Sequence, residues 1–286
     1  MNMISQKTYQ TLSVDINDKV AHIILNRPDA LNSMNVDFWH EFPSVIHEIN
    51  NQSAARAIVI SSTGKHFSAG MDLAVFSASN SDDNIELGRK HDHLRRLVLK
   101  LQDCFNVLET ARMPVLMAIQ GGCIGGAVDM VTAADCRYCT SDAFFSIEET
   151  KLGMTADVGT LQRLPKLISI GLVKELAYTG RRMPAAEAKA AGLVNHVYED
   201  QASMLTAVLG IAADIAARSP LAVTGCKEMI NYARDHSVAD SLHYMSVWQS
   251  GMFQPQNDMM EIFKAKAQNR APEFEELTQI DPLKIF

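Results

Sequence analysis

The stretch PVLMAIQGGCIGGAVDMVTAA, residues 114–134, organises the predicted fold. Its first six residues form a short aliphatic run that is typical of a buried strand. A glycine-rich turn follows at residues 121–126, and residues 127–134 favour a helix and contain no breaker. The N–H groups at a helix start lack partners within the helix and carry positive partial charge. The sequence therefore predicts a place here for an anion, or for an oxygen that becomes one.

Three acids lie on or after this turn, in apolar or small-residue surroundings. Asp129 belongs to the predicted helix, and Glu149 and Asp157 follow a short run at residues 144–146. Carboxyl groups in such surroundings tend to have raised pKa values, which suits them to proton transfer. Helix caps and surface acids would give the same spacing, so the spacing alone leaves both interpretations open.

Length, composition and charge describe an ordinary globular chain. Its 286 residues are enough for one large or two small domains, with 47% hydrophobic and 21% charged residues. The net charge of −7 argues against a nucleic-acid partner, and an anionic ligand would need a local basic patch.

Cysteine use and the chain ends lead to a prediction of compartment. The five cysteines are odd in number and scattered, which does not suit a disulfide framework and favours a reducing setting. The first residues lack a signal-type apolar core, no run reaches membrane-spanning length, and the last residues are not the Ser-Lys-Leu address. These features predict a cytoplasmic protein without membrane insertion.

The N-terminal part alternates strands and helices. Residues 20–25 and 56–61 are predicted strands, and residues 35–49 between them carry apolar side chains at helical spacing. Strand, helix and strand in this order predict right-handed crossovers of the α/β class.

The loop GKHFSAGMDL at residues 64–73 is a second small-residue segment. It lacks the Gly-Lys-Ser/Thr ending of a P-loop and the Gly-x-Ser-x-Gly elbow of serine hydrolases. The backbone around Ala69 and Gly70 is uncrowded and could offer N–H groups to a ligand oxygen. An ordinary turn would have the same composition.

Metal and redox sites are not expected. His91 and His93 lie two positions apart on a predicted helix at residues 88–108 and so do not face each other. Cys136 and Cys139 have neither a second pair nor a redox context, and we interpret them as strand residues. Residues 77–83 are polar and predict a surface loop.

The C-terminal part is predicted to be helical. Its elements are helices at residues 183–192, 201–218, 219–234, 237–251 and 257–269, with a last short strand at 193–198. These helices could pack on the chain's own core or on a neighbouring subunit.

Several motifs in order along the chain resemble the crotonase (enoyl-CoA hydratase/isomerase) superfamily. They are ILNRP at 24–28, FSAGMDL at 67–73, AIQGGCIGGA at 118–127 and the segment 145–164. Within the superfamily, ADVGTLQRLP at 156–165, Asp129 and RDHSV at 234–238 resemble the Δ3,5-Δ2,4-dienoyl-CoA isomerase group. Typical hydratases have glutamate in the place of Asp129 and glycine in the place of Asp157.

The resemblance implies an α/β fold: a crotonase-type spiral of repeated β-β-α units, with a helical C-terminal trimerisation region. Residues 1–199 would form the spiral core with the active site, and residues 200–286 the helical oligomerisation region. It also implies a homotrimer, or a hexamer made from two trimers.

The implied activity is isomerisation of 3,5-dienoyl-CoA to 2,4-dienoyl-CoA, in the β-oxidation of unsaturated fatty acids. The backbone N–H groups of Met71 and Gly126 would hold the thioester oxygen, without metal or cofactor other than the substrate's own coenzyme A. Glu149 would exchange the proton at the α-carbon and Asp157 the proton at the distant carbon, with Asp129 beside them. The implied substrate-binding residues also include Arg27, Ala69, Gly70, Asp72, Leu73 and Lys266.

Two other functions stay open on the sequence. In an enoyl-CoA hydratase, Asp129 and Glu149 would hold a water for addition to a 2-enoyl thioester. A non-catalytic acyl-CoA-binding protein could share the fold, although it would have no need of three acids. One departure from the family pattern is Ala127, which stands where a third glycine is common.

Overall fold

The computed structural model describes residue 4 and residues 7–77, 85–252 and 256–280. Most of the predicted loop at 77–83 lies outside these ranges. The strands are β1 Leu12–Asn17, β2 Val20–Leu25, β3 Ala57–Ser62, β4 Val115–Ile119, β5 Gly122–Ile124, β6 Cys136–Thr140, β7 Phe144–Ser146, β8 Met183–Pro184 and β9 His196–Tyr198. The helices are α1 Val36–Gln52, α2 Ala74–Ser77, α3 Leu87–Thr110, α4 Gly126–Thr132, α5 Thr160–Arg163, α6 Ile170–Thr179, α7 Ala185–Ala191, α8 Gln201–Ala216, α9 Pro220–Asp235, α10 Val238–Met252 and α11 Asp258–Ala267.

The strands form two sheets. In the described residues the larger sheet has the order β1-β2-β3-β4-β6-β9, and all of its pairings are parallel except that of β1 with β2. The smaller sheet has the order β5-β7-β8, with β5 parallel to β7. Ser68 extends this smaller sheet, because it forms a parallel bridge with Cys123 of β5.

Successive turns of the chain therefore repeat one pattern. Each turn places a strand in the larger sheet and then a segment in the smaller one. The three turns are β3 followed by Ser68 and α3, β4 followed by β5 and α4, and β6 followed by β7. Because neighbouring turns pair in both sheets, the residues that follow Ser68 and those that follow β5 come to lie side by side. The predicted α/β class is confirmed.

The central strand β4 is buried along its whole length, which explains its continuous aliphatic sequence. Leu116 and Ala118 face α8 and pack there with Met204 and Val208, whereas the opposite face of the sheet belongs to the main core. Helix α8 thus covers the sheet although it follows residue 199. The boundary at residue 199 stays a prediction.

Helix α1 shows how local signals place an element. The Asn35 side chain caps it by accepting a hydrogen bond from Phe38 N at 3.0 Å. Its apolar face then packs on α3, where the rings of Trp39 and Phe105 lie 5.4 Å apart.

A buried ammonium helps to join helix α9 to the core. Lys227 of α9 donates to Leu108 O at 2.7 Å and to Met113 O at 3.1 Å, and it pairs with Asp135 at 2.8 Å. Helix α10 then packs on α9, where a Cβ at Gly225 would lie 2.3 Å from the Trp248 side chain. Three contacts to a buried cation fix α9 against the end of α3 and the start of β4.

Helix α10 has no fully buried residue in the described part of the single chain, and most of its apolar side chains are exposed. Over the same described ranges no single helix has the length and apolar composition to cross a membrane. Helices α8 and α9 meet those criteria only together, and they are bent by 108° relative to each other.

Some elements differ from the sequence predictions. Strand β1 was not predicted, and the glycine turn contains the short strand β5. The helix predicted from residue 183 begins at Ala185, because Met183 and Pro184 pair with β7 instead. Strands β5 and β8 depend on partners far along the chain, which local periodicity does not report.

Candidate active site

A cavity of about 930 Å³ lies between helix α3 and the loops that follow Ser68, β5 and β7. Among the residues predicted for the site, those in its wall are Ala69, Met71, Asp72, Leu73, Gly126, Asp129, Glu149 and Asp157. Predicted residues from three distant parts of the sequence, 69–73, 126–129 and 149–157, therefore meet in one space. This is the size of a pocket for a small molecule or for part of a larger one.

The first loop is fixed to the second by strand-like hydrogen bonds. Ser68 N–H donates to Gly122 O at 3.2 Å, and Ile124 N–H donates to Ser68 O at 3.1 Å. Gly70 then lies directly against the start of α4 with φ +80°, where a Cβ would be 2.5 Å from Ile124 O. Only glycine fits this position, both in conformation and in space.

Two backbone amides are left free by this arrangement. Neither Met71 N–H nor Gly126 N–H donates a hydrogen bond to any residue that the structure describes. A Cβ built on Gly126 would lie 3.6 Å from Met71 N, so the two amides are close neighbours in the cavity wall. A pair of unused N–H groups in a cavity suits an oxygen that becomes negative during a reaction.

Glu149 stands next to these amides. It begins a 3-10 turn, Glu149–Leu152, and a Cβ on Gly125 would lie 3.4 Å from its Oε1. Its Oε2 is buried and has no hydrogen-bond partner among the described residues. Burial, with added repulsion from Asp129 and Asp157, raises the pKa of Glu149 to about 7. Such a carboxylate can accept and return a proton near neutral pH.

Asp129 is the most deeply buried of the three acids, at 1% exposure. Its Oδ1 accepts a hydrogen bond from Thr160 N at 2.6 Å. Burial raises the pKa of Asp129, the hydrogen bond opposes that rise, and the charge of Asp157 adds to it. Asp129 thus ties helix α4 to the segment that follows Asp157.

Asp157 lies in the cavity wall but is exposed. Its backbone carbonyl accepts a hydrogen bond from Gln102 Nε2 of α3 at 2.7 Å. Its carboxylate has no hydrogen-bond partner within the described ranges of the chain, so it is free to meet a ligand. The geometry brings the three predicted acids to one cavity, with Asp129 buried, Glu149 half-buried and Asp157 open.

Arg27, Gly70 and Lys266 lie outside the cavity wall. Arg27 Nη1 supports that wall, since it donates to Ser33 O at 2.5 Å and approaches Asp72 Oδ2 at 3.5 Å. Lys266 is an exposed residue of α11. Direct contact of these residues with a ligand stays a prediction.

Sequence reasoning missed the contribution of helix α3. Leu94, Leu97, Val98 and Leu101 line the apolar side of the cavity. The sequence predicted this helix but gave it no part in the site, and Leu94 is 57% and Leu97 43% exposed. No pattern in the sequence separates apolar residues that face a core from those that face a cavity.

Comparison with known proteins gives one family. The model of the enoyl-CoA hydratase/isomerase family matches residues 15–276. A human protein named "Delta(3,5)-Delta(2,4)-dienoyl-CoA isomerase, mitochondrial" is 45% identical over 269 residues, which cover 92% of this chain and 81% of that protein. An Arabidopsis thaliana protein named as the peroxisomal isomerase of the same reaction is 40% identical over 279 residues, which cover 97% of this chain and 100% of that protein.

Solved structures agree with this. The crystal structure of an enoyl-CoA hydratase from Bacillus anthracis superposes with a TM-score of 0.83 at 30% identity and covers 93% of this chain and 99% of that chain. A Thermobifida fusca structure, described as a putative enoyl-CoA hydratase in complex with acetoacetyl-CoA, has a TM-score of 0.76 at 27% identity and covers 85% of this chain and 94% of that chain. The predicted crotonase-type fold is confirmed.

The prediction of a cytoplasmic protein is wrong. The human and Arabidopsis relatives are named as mitochondrial and peroxisomal proteins. The prediction relied on missing address motifs and on unpaired cysteines. Free thiols indicate a reducing setting but do not identify a compartment.

Proposed function

Because the chain belongs to the enoyl-CoA hydratase/isomerase family, we propose that it converts 3,5-dienoyl-CoA thioesters to 2,4-dienoyl-CoA thioesters. One observation carries the proposal: a single cavity holds two free backbone amides, Met71 N–H and Gly126 N–H, together with Glu149 and Asp157. Relatives at 40% and 45% identity that bear the name of this isomerase support it.

The first step removes a proton from C2 of the acyl chain. The thioester oxygen accepts hydrogen bonds from the amides of Met71 and Gly126, and Glu149 takes the proton. The electron pair of the broken C2–H bond spreads through the diene as a dienolate. Each amide donor of this kind is typically worth about 3 to 4 kcal/mol of transition-state stabilisation. Glu149 suits the role of base because its pKa of about 7 lies near the working pH.

The second step returns a proton at C6. Asp157 donates it, the C6–H bond forms, and the double bonds come to rest at C2=C3 and C4=C5. Asp157 ends ionised and Glu149 ends protonated, so one proton must pass back through solvent before the next cycle. The exposure of Asp157 suits it to that exchange with water.

Asp129 has a supporting role in this scheme. Its carboxylate holds Thr160 N–H and adds negative charge near Glu149, which helps to keep the pKa of Glu149 raised. Its own burial leaves little room for direct contact with a moving acyl chain.

The substitution Asp157→Asn tests the proposal. We expect the rate of formation of the conjugated 2,4-dienoyl product to fall by at least about 100-fold, in keeping with the loss of a general acid. The absorbance of the product measures this rate. Acyl-CoA binding, measured by calorimetry, should change little, because Asp157 is open to solvent and its amide analogue keeps the same shape. Normal turnover in the variant would reject the assignment.

An enoyl-CoA hydratase is the second candidate, since Asp129 and Glu149 could hold a water between them. Offering the purified protein a 2-enoyl-CoA and following loss of the enoyl band separates the two functions. A non-catalytic acyl-CoA-binding protein would put no solvent deuterium into either thioester.

We also propose that the protein assembles into a trimer, or into a pair of trimers, through its last helices. The exposed apolar residues of α9, α10 and α11 support this, and they include Ile230, Val238, Leu242, Val247, Ile262 and Phe263. Lys266 on the same helical region would then reach the coenzyme A of a neighbouring subunit.

A further inference from the structure

The segment 157–160, which carries Asp157, is held from outside at three of its peptide groups. Gln102 Nε2 donates to Asp157 O at 2.7 Å, and Asp129 accepts from Thr160 N at 2.6 Å. Arg163 Nη1 donates to Val158 O at 3.4 Å. The side chain of Asp157 is free, whereas the backbone beneath it is fixed.

Arg163 lies directly against this backbone. Gly159 has φ +136°, and a Cβ there would be 1.9 Å from Arg163 Nη1. The Arg163 side chain is only 10% exposed, and its Nη2 donates to Glu109 Oε2 at 2.8 Å and to Asn106 Oδ1 at 2.5 Å. The glycine is needed because the arginine occupies the space of a side chain.

Helix α3 supplies the anchoring surface. Gln102, Asn106 and Glu109 follow at i, i+4 and i+7, so they lie on one face of the helix and meet the segment together. Glu109 also pairs with Arg234 at the end of α9. Burial opposes the ionisation of Glu109, but hydrogen bonds from the two arginines outweigh it and lower its pKa.

Glu149 is held by different contacts. Its carbonyl accepts from Met154 N at 2.9 Å, and the next residue, Thr150, donates through Oγ1 to Ala177 O of α6 at 2.9 Å. Neither Gln102 nor Arg163 takes part in these contacts. The two acids of the reaction therefore have separate supports.

We infer that Gln102 and Arg163 are positioning residues for the second proton transfer: they fix the backbone of Asp157 so that its carboxyl group reaches C6. The inference rests on the proposed function. A displacement of about 1 Å at a reacting group can cost on the order of 100-fold in rate, so loss of either support slows protonation at C6. Removal of the C2 proton by Glu149 does not depend on either residue.

The test compares the two proton transfers in one protein. Gln102→Met keeps the length and helix preference of the side chain and removes its donor. The reaction is run in D₂O with a 3,5-dienoyl-CoA, and we follow both product formation and deuterium at C2 of the recovered substrate. We expect product formation to fall about 10-fold, KM to stay within about twofold, and deuterium exchange to stay equal or rise.

Three further variants complete the experiment. Gln102→Lys restores an N–H donor and should recover most of the activity. Lys100→Met introduces the same methionine at an exposed α3 position that has no role in the cavity, and should behave as the parent protein. Arg163→Lys keeps the charge and loses the forked geometry, and it should also raise the ratio of exchange to isomerisation.

The ratio of deuterium exchange to isomerisation distinguishes a positioning role from a general loss of folding. Partial unfolding lowers exchange and isomerisation by the same factor, which leaves the ratio unchanged. Three outcomes would each overturn the inference. Gln102→Met could lose both rates equally, or it could leave isomerisation unchanged. Alternatively, Gln102→Lys could be as impaired as Gln102→Met. Failure of the proposed function itself would be visible in the parent protein, as the lack of both isomerisation and exchange.

Discussion

Glu149 illustrates how a single residue can carry a cost in stability for the sake of chemistry. Its Oε2 is buried without a partner among the described residues, and its pKa is raised to about 7. In the unfolded chain the same carboxyl group titrates near 4.5. The folded state therefore binds this proton more tightly, and ionisation of Glu149 destabilises the fold.

This gives a signed prediction for pH. The stabilising effect of the protonated group is fully present below about pH 4.5 and is lost as the pH rises through about 7. We expect Glu149→Gln to raise the free energy of unfolding by about 1.5 kcal/mol at pH 8, about half of the full shift, because the side chain is only partly buried. The gain should vanish near pH 4.5, as measured by chemical denaturation at both pH values.

The adjacent residue is the matched control. Burial opposes ionisation of Glu148, but hydrogen bonds from Ser146 at 2.6 Å and Lys151 at 3.0 Å outweigh it and lower its pKa. Its contribution to stability is present above the unfolded pKa and is lost in acid, so Glu148→Gln should destabilise at pH 8. If both variants changed stability in the same direction at pH 8, the environment assigned to Glu149 would be wrong.

At the scale of elements, sequence and structure agree where an element is decided locally. Helix α1 has its own cap at Asn35 and an apolar face at helical spacing, and β4 is buried on both faces, so both were predictable. Strand β5 was not, because its three residues pair with Phe144–Ser146 and not with anything nearby.

The same limit applies to the candidate site. The closeness of Met71 to Gly126 follows from the pairing of Ser68 with Cys123, which are 55 positions apart. The residue types suggested that each loop could offer a backbone N–H group to a ligand. Only the family resemblance implied that the two N–H groups bind the same oxygen. The supports of Asp157 were not foreseen, because Gln102 and Arg163 act on backbone atoms and leave no motif.

Helix α3 also carries a prediction about the acyl chain. Leu97 is 43% exposed in the free protein and lines the apolar side of the cavity. A bound chain would cover it, so Leu97→Ser should raise the KM for a long-chain dienoyl-CoA about fivefold, equivalent to about 1 kcal/mol of lost apolar contact. The KM for a short-chain substrate should change by less than twofold, since a short chain does not extend along α3.

Leu99 offers a matched control on the same helix. It is 44% exposed but is not part of the cavity wall. Leu99→Ser should leave the KM of both substrates unchanged. Equal effects of the two substitutions would mean that α3 does not contact the acyl chain.

At the scale of the whole molecule, the last helices expose many apolar side chains in the single chain. Val238 is 77%, Leu242 66% and Val247 57% exposed on α10, and this helix has no buried residue in the described part of the chain. Apolar side chains exposed on several consecutive helices are typical of a surface that meets another protein. Contact with a second copy, as proposed above, would remove these side chains from water.

The final prediction therefore concerns assembly. Light scattering of the parent protein should give three or six times the chain mass of 31.5 kDa. Leu242→Glu would place a charge in each subunit contact, where it has no partner, and should shift the protein towards the single-chain mass at micromolar concentration. Leu99→Glu introduces the same charge on α3 and should leave the mass unchanged. A parent protein of 31.5 kDa in solution, or an unaltered oligomer in Leu242→Glu, would show that α10 is not the contact between subunits.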